Sequence, residues 1–292
     1  MSLMSKLINH VFKKGDDKRD AGLTTPADIV RYDDLVYGPD PKWNRLDVYR
    51  PKNKEGKLPV IVSIHGGGWV YGDKERYQYY CMSLAQLGFA VINYTYRLAP
   101  EFKYPASMED TDRVFVWGEE HAEEYGLDWN NLFAVGDSAG GHMLALYCCL
   151  CHDPEYAKKN GLEIRGKCPD AVALNCGVYR LEKGKGFDLT SALMKDLLPK
   201  KGREEKFRLI SPMEHLSAAF PPAFVMTAEG DFLAVQAKPM ADALNALGAE
   251  AEYHYYGDKE HVLGHVFHCN MKLPEAAVCN KDEADFFLRH VK

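Results

Sequence analysis

The feature that most constrains this chain is a series of short runs that are almost wholly apolar instead of alternating with polar residues. These runs are rich in aliphatic and aromatic side chains and occur at 60–64, 89–94, 132–135, 171–174 and 223–226. Such runs are typical of strands that are buried on both faces. Helical patterns lie between them at 77–87, 108–125 and 140–151. The alternation predicts the α/β class, with a mostly parallel central sheet and helices on both faces.

Three further segments complete the predicted organisation of one domain over residues 1–292. Residues 46–49 alternate in polarity, which favours an antiparallel pair at one edge of the sheet. The N-terminal segment 1–40 is polar, and the stretch 181–220 interrupts the alternation of strands and helices. Long insertions in compact domains are often functional, so these two segments are expected to form a small cap. The alternative for 181–220 is a plain surface insertion.

A glycine-rich serine turn is the sharpest local signal. The sequence GDSAGG at 136–141 follows the run at 132–135 and opens the helical pattern at 140–151. A serine on a tight turn between a strand and a helix is lifted above the sheet edge, and the helix N-terminus faces any negative charge that develops there. This context predicts Ser138 as a nucleophile. The alternative is an ordinary glycine turn, for which the flanking strand and helix would be coincidental.

A second glycine motif, HGGGW at 65–69, follows the run at 60–64. Glycines let the backbone approach a reacting carbonyl closely, and peptide N–H groups aimed at an oxyanion stabilise it by about 3 kcal/mol each. We expect Gly67, Gly68 and Ala139 to donate these hydrogen bonds. A phosphate-binding loop is a poor alternative, because neither GK[ST] nor the GxGxxG spacing is present. His65 is expected to shape the loop and not to transfer protons.

These two motifs together resemble the hormone-sensitive-lipase-like branch of the α/β-hydrolases. The sequence YRLAPE at 96–101, followed by YPA at 104–106, is similar to a third segment of that family, and the match runs from about Trp43 to the C-terminus. The resemblance implies an α/β-hydrolase fold and a serine esterase that needs no cofactor. His142 departs from the asparagine often found after the nucleophile turn and looks more like acetylesterase-type relatives.

The resemblance also implies an order along the chain, in which the acid and then the base follow the serine. Asp231 comes just after the run at 223–226 and matches the family's G-x-D-x-L position. It is expected to orient the base, and Glu229 is the nearest rival.

The base is left open among neighbouring histidines. His265-Val266-Phe267 is the closest match to the family's H-G-F, although Val266 replaces the glycine. His261 lies nearer the strand at 252–256 and is the second candidate. His268 is expected to fall in the following helix. One of them must activate Ser138 if the serine is a nucleophile.

Two aromatic residues near the HGGGW motif are candidates for a substrate pocket. Trp69 and Tyr71 are placed to line an acyl or alcohol site, but aromatic residues more often belong to the core. Both interpretations stay open from the sequence alone.

Composition excludes several other classes. The net charge of −6 argues against nucleic acid as a partner, because phosphate binding needs a basic face. No apolar run approaches the roughly 20 residues that span a bilayer, so a cytoplasmic protein is expected. The eight cysteines do not form paired CxxC motifs at zinc spacing, so no metal site is expected. Homodimer formation stays open.

The sequence therefore predicts a carboxylesterase that acts on small esters with short acyl or acetyl groups through an acyl-enzyme intermediate. Two alternatives remain. One is a deacetylase of acetylated sugars or small metabolites. The other is a non-catalytic binding protein on the same fold, since fold alone does not imply function.

Overall fold

The computed structural model describes residues 3–182, 189–200 and 203–292. Within these ranges, eight strands form one sheet in the order β1-β2-β4-β3-β5-β6-β7-β8. Their bounds are β1 Ile29–Val36, β2 Arg45–Pro51, β3 Leu58–Ile64, β4 Ala90–Thr95, β5 Leu127–Asp137, β6 Ala171–Asn175, β7 Ala223–Ala228 and β8 Ala251–Tyr256.

The sheet is parallel from β4 through β3 to β8, whereas β1 and β2 run antiparallel at one edge. This confirms the predicted α/β-hydrolase class with a mostly parallel central sheet. The antiparallel edge is the pair predicted from the alternation at 46–49. Each of the five apolar runs coincides with a strand of the parallel part, except that Phe89 directly precedes β4.

Helices cover both faces of the sheet, as predicted. Their bounds are α1 Leu3–Asp20, α2 Gln78–Gln86, α3 Ala106–Glu120, α4 Ala139–His152, α5 Pro154–Lys159, α6 Leu189–Leu197, α7 Arg203–Leu209, α8 Ala234–Ala246 and α9 Pro274–Leu288. Short 3₁₀ turns occupy Lys74–Arg76, Pro212–Glu214 and Phe267–Cys269. Among the helices that the structure describes, none carries a hydrophobic stretch long enough for a transmembrane segment.

Successive side chains of β3 explain why its sequence is apolar throughout. Val60 and Val62 belong to the core beneath α3, α4 and α8, whereas Ile61 between them belongs to the core beneath α2 and α9. All three side chains are fully buried. A strand covered on both faces has no solvent side, so the period-2 alternation of a half-exposed strand is absent.

The structure departs from the predicted elements in two places. Helix α3 ends at Glu120 and not at 125, because residues 121–126 turn back into β5 and Gly126 adopts a positive φ of 60°. The polar segment 1–40 contains α1 and β1, which the apolar patterns do not predict.

Helix α1 is held on the rest of the fold by apolar packing, which includes the buried Ile8, and by polar contacts. Ser5 donates a hydrogen bond to Asp196 of α6, and Asn9 donates to the Val70 carbonyl at 3.1 Å. Arg76 pairs with Asp17 at 2.5 Å. We call α1 and α6 the α1–α6 pair. The parts of 181–220 at 183–188 and 201–202 lie outside the described residues, so the predicted cap stays a prediction there.

Candidate active site

The serine turn joins β5 to α4, and its backbone is strained. Ser138 has φ 52° and ψ −115°, a backbone conformation that residues other than glycine rarely adopt. A Cβ added to Gly136 would lie 2.5 Å from the Gly140 carbonyl oxygen, and one on Gly140 would lie 2.0 Å from that of Ile64. The glycines of the motif are therefore required for close packing. The Ser138 amide is fixed by a 2.9 Å hydrogen bond to the Asn175 carbonyl.

Asp231 and His265 are brought together from the ends of β7 and β8. His265 Nδ1 lies 2.6 Å from Asp231 Oδ1. The Thr227 hydroxyl donates to the other carboxylate oxygen at 2.7 Å, and the Leu233 amide donates to Oδ1 at 2.9 Å. Burial raises the pKa of Asp231, but the hydrogen bonds, that with His265 foremost, outweigh it and leave the pKa below its usual value. Asp231 is therefore suited to hold the imidazole as a carboxylate.

The rival residues lie elsewhere. The His261 side chain is 75% exposed and its Nε2 lies 3.7 Å from Glu275. Glu229, the rival acid, accepts a hydrogen bond from the Tyr255 hydroxyl. Contrary to the prediction, His268 does not fall in the following helix but is fully buried in the 3₁₀ turn Phe267–Cys269 before α9, where burial lowers its pKa to about 3. The geometry thus supports Asp231 and His265 among the candidates that the sequence left open.

The HGGGW loop has the backbone that its glycines predict. Gly67 and Gly68 have positive φ values of 110° and 62°, and a Cβ on Gly67 would lie 2.1 Å from the Tyr71 carbonyl oxygen. The Gly66 amide donates to the Tyr77 hydroxyl at 2.9 Å. Ala139 is the first residue of α4, where N–H groups have no partner within the helix.

His65 lies at the base of this loop and is fully buried. Its Nδ1 is 2.7 Å from the Gly66 carbonyl oxygen, and its ring stacks on Tyr96 with centroids 4.1 Å apart. Burial lowers the pKa of His65 to about 4, so the ring is neutral near neutral pH. These contacts suit the expected role in shaping the loop.

Trp69 and Tyr71 occupy different environments. Trp69 is 3% exposed, and its Nε1 donates to His142 Nδ1 at 3.3 Å. His142 in turn contacts the Ile210 carbonyl at 2.7 Å, so the HGGGW loop is linked through Trp69 to the 181–220 segment. Tyr71 is half-buried and its hydroxyl donates to Asp16 of α1 at 2.7 Å. This placement favours the core interpretation for Trp69 and the pocket interpretation for Tyr71.

One cavity of about 330 Å³ contains both candidate catalytic side chains. Ser138 and His265 line it together with Gly67 and Tyr71, and Val11, Phe12, Asp16 and Arg19 of α1 line it from the other side. Among the residues that the structure describes, Trp69 does not line this cavity. The sequence analysis predicted a cap that includes the segment 1–40, but it identified neither α1 nor its apolar wall residues Val11 and Phe12, which directly precede the charges at 13–20.

Asp137 also belongs to the site and was not identified from the sequence. Asp137 lines the cavity and precedes Ser138 in the chain, and its carboxylate accepts a hydrogen bond from the Tyr77 hydroxyl at 2.8 Å. Burial raises the pKa of Asp137 to about 6. Since Tyr77 also accepts from Gly66, the carboxylate is connected to the HGGGW loop. The available signal was a charged residue just after the apolar run at 132–135 and directly before Ser138.

Two groups of described residues could bring three ligand atoms within 4.8 Å of one another. They are Asp137, His268 and Cys269, and Cys176, Asp231 and His265. The first group is wholly buried. In the second group, Asp231 and His265 already form a hydrogen bond with each other, which uses two of the three ligand atoms. The predicted lack of a metal site stays a prediction.

Comparison with known proteins agrees with this architecture. The esterase LipQ and the carboxylic ester hydrolase LipN, both from Mycobacterium tuberculosis, are 28% and 31% identical over 84% and 75% of this chain. The chain spans only 58% and 60% of the lengths of these two relatives.

A solved structure is similar over nearly the whole chain. The crystal structure of esterase B from Lactobacillus rhamnosis superposes with a TM-score of 0.88 and covers 99% of this chain and 97% of its own. Because the sequence identity is 23%, this similarity is evidence of a shared fold alone. A family model described as the alpha/beta hydrolase fold matches residues 61–265, which include the HGGGW loop, the serine turn, Asp231 and His265. The chain therefore belongs to the α/β-hydrolase family, as the motifs predicted.

Proposed function

We propose that this protein is a serine carboxylesterase in which Ser138 is the nucleophile, His265 the base and Asp231 the residue that orients the base. The observation that carries the proposal is the single cavity lined by Ser138 and His265, with His265 held 2.6 Å from Asp231. The names of the relatives LipQ and LipN support hydrolysis of carboxylic esters.

In the first half-reaction, Ser138 Oγ attacks the ester carbonyl carbon while its proton passes to His265 Nε2. Asp231 accepts the hydrogen bond from Nδ1–H, which fixes the tautomer and stabilises the imidazolium. The carbonyl π electrons move onto oxygen. When the C–O bond to the alcohol breaks, His265 returns the proton to the leaving oxygen and an acyl-enzyme remains. Water then repeats the sequence and releases the acid.

The amides of Gly67, Gly68 and Ala139 are the proposed donors to the oxyanion. The Gly66 amide is already used by the Tyr77 hydroxyl at 2.9 Å, so the following amides are the better candidates in that loop. Ala139 contributes an N–H group at the N-terminus of α4, where the helix dipole also favours negative charge.

The size and lining of the cavity support small esters. Its volume of about 330 Å³ lies near the lower end of the roughly 300–1,000 Å³ that is usual for small-molecule sites. Val11, Phe12, Phe232 and Val266 supply apolar wall, whereas Asp16 and Arg19 neutralise each other at 2.9 Å. A short acyl chain fits such a site better than a long chain or a strongly charged group.

The N-terminal helix and the 181–220 segment are proposed to form the cap. Helix α1 lines the cavity, and Ser5 joins it to Asp196 of α6. Gly68 of the HGGGW loop also lies against Leu193 of α6, since a Cβ there would be 3.0 Å from Leu193 Cδ1. These contacts support a cap made from two segments that are distant in sequence.

Hydrolysis of p-nitrophenyl esters of increasing acyl length tests this function. We expect turnover of the acetate and butyrate esters that falls with longer chains. The Ser138→Ala variant should lose about 10⁵-fold in kcat. Ser83→Ala, which changes a partly exposed serine of α2 outside the cavity and the proposed cap, should retain activity.

Folding of each variant is checked by circular dichroism. No turnover of any ester by folded wild-type protein would favour the binding-protein alternative. Full activity in Ser138→Ala would assign the nucleophile elsewhere.

A further inference from the structure

A cluster of three thiols and one imidazole lies at the end of α4 remote from Ser138. Cys148, Cys151 and His152 lie on the last turns of that helix, and Cys168 reaches them from the segment before β6. Cys168 Sγ is 3.5 Å from His152 Nε2, and the Cys168 thiol interacts with both Cys148 and Cys151. We call these four residues the thiol cluster. Helical spacing places Cys148 and Cys151 on the same face.

The segment that carries Cys168 is held firmly in place. Asp112 of α3 accepts hydrogen bonds from the amides of Arg165 and Gly166 at 3.0 and 2.9 Å. Gly166 is tightly packed, because a Cβ there would lie 2.5 Å from both Phe115 Cβ and the Tyr147 hydroxyl. The approach of Cys168 to α4 is therefore fixed by the fold.

The thiols of the protein differ in exposure. All eight cysteines lie in described residues and are free thiols, and only Cys151 and Cys168 are partly exposed. Cys151 also lines a cavity of about 370 Å³ between α4 and α5. The two thiols that a small solute can reach are thus the two that interact with each other.

The surroundings favour a reactive Cys168. Hydrogen bonds from Cys148 and Cys151, assisted by His152 and opposed by burial, lower the pKa of Cys168 well below its usual value. The contact with Cys168 in turn raises the pKa of His152. The thiolate is the reactive form of cysteine, and oxidation-sensitive thiols are typically accessible, acidic and close to a second cysteine.

We propose that Cys168 is a site of oxidation by peroxides and that Cys151 resolves it to a disulfide. The Cys168 thiolate attacks one oxygen of hydrogen peroxide, the O–O bond breaks and hydroxide leaves, so that Cys168 becomes a sulfenic acid. Cys151 sulfur then attacks the Cys168 sulfur, and the S–O bond breaks. The oxygen leaves as water with the Cys151 proton. Two thiols are oxidised by two electrons while one peroxide is reduced to two waters.

Cys151 is favoured over Cys148 as the resolving residue. Both interact with Cys168, but Cys148 is fully buried, whereas Cys151 lies on the cavity wall. The site is also separate from the proposed ester chemistry, because α4 spans about 20 Å between its first and last residues. A failure of either proposal therefore leaves the other standing.

The test treats the full-length protein with a small excess of hydrogen peroxide, followed by alkylation and peptide mapping by mass spectrometry. The expected product is a Cys151–Cys168 disulfide that dithiothreitol reverses. In Cys151→Ser, a Cys168 sulfenic acid should accumulate and be trapped by dimedone. Cys148→Ser, the matched control on the same helix face, should still form the Cys151–Cys168 bond.

Two more variants examine the reactive thiol itself. Cys168→Ser should slow oxidation at this cluster by at least about tenfold, and His152→Gln should slow it to a smaller extent. Unchanged thermal unfolding of the reduced variants shows that they are folded.

The proposal is overturned if another cysteine is oxidised first, or if Cys168→Ser is oxidised at Cys151 as fast as the wild type. It is equally overturned by stoichiometric zinc on the purified protein that blocks oxidation until a chelator removes it.

Discussion

The two sides of the cavity are built in different ways. One side consists of the carboxyl ends of the parallel strands, where the Ser138 turn and Asp231 are fixed by backbone geometry and buried hydrogen bonds. The other side is formed by α1, which contacts α6 through Ser5 and Asp196 and is joined to the rest of the fold through contacts such as Asp16 with Tyr71. The difference suggests that the strand ends set the chemistry, whereas the α1–α6 pair sets access and substrate size.

After the loss predicted for Ser138→Ala, the largest effect is expected at the proposed base, His265. His265→Asn should lower kcat by about 10⁴-fold or more, because the imidazole proposed to accept the Ser138 proton is lost. His261→Asn is the matched control and should remain within about twofold, since its side chain is 75% exposed and faces Glu275. Steady-state hydrolysis of p-nitrophenyl acetate measures both. A large loss in His261→Asn with an active His265→Asn would exchange their roles.

The residue that orients the base should have the next largest effect. Asp231→Asn keeps the shape of the side chain but favours the wrong tautomer of His265, so kcat should fall by about 10³- to 10⁴-fold. Glu229→Gln tests the rival acid and should retain near wild-type kcat because Glu229 pairs with Tyr255. The idea fails if Glu229→Gln is the inactive variant of the two.

Asp137 tests how much the burial of a carboxylate at the strand ends lowers the free energy of unfolding. Its pKa is raised from 3.8 to about 6 in the folded protein, so the folded state binds more protons than the unfolded state between these pH values. This contribution therefore lowers stability as the pH rises through that window. Asp137→Asn should be more stable than wild type at pH 7 by about 2–3 kcal/mol, with the difference vanishing below about pH 4. Urea unfolding across this range measures the effect, and a constant difference would contradict it.

The smallest effect is expected on the α1 side. Tyr71→Phe removes the 2.7 Å hydrogen bond to Asp16, a loss of about 1 kcal/mol in holding α1 over the cavity. We expect KM to rise about three- to fivefold with little change in kcat. Tyr79→Phe, whose hydroxyl donates to the Leu23 carbonyl at 2.9 Å, is the control and should leave KM unchanged. A fall in kcat alone would assign Tyr71 to the chemistry and not to access.

The same two regions differ in how far the sequence predicts them. The order of the candidate site residues along the chain, from the HGGGW loop through Ser138 to Asp231, follows from local patterns. Glycine turns and buried strands are specified by neighbouring residues. The choice between His261 and His265 depended on tertiary placement, since both lie in one loop. Val266, which replaces the family's glycine, adopts a positive φ of 53°, so the backbone conformation is kept despite the substitution.

The α1 side was harder to predict for a physical reason. The charges at 13–20 suggest a solvated segment, yet in the structure Arg19 pairs with Asp16 at 2.9 Å and is largely buried against the cavity. Val11 and Phe12 are directed to the cavity only because distant residues such as Tyr71 and Arg76 hold the helix there. Contacts between remote segments leave no periodic signal in either one.

Covalent trapping tests directly whether Ser138 is the nucleophile. A phosphonate ester with a short alkyl chain reacts with an activated serine and stops at the tetrahedral phosphonyl enzyme. We predict one phosphonyl group per chain, mapped by mass spectrometry to the peptide that contains Ser138, with parallel loss of esterase activity. Label on a different residue, or full activity with Ser138 modified, would contradict the account.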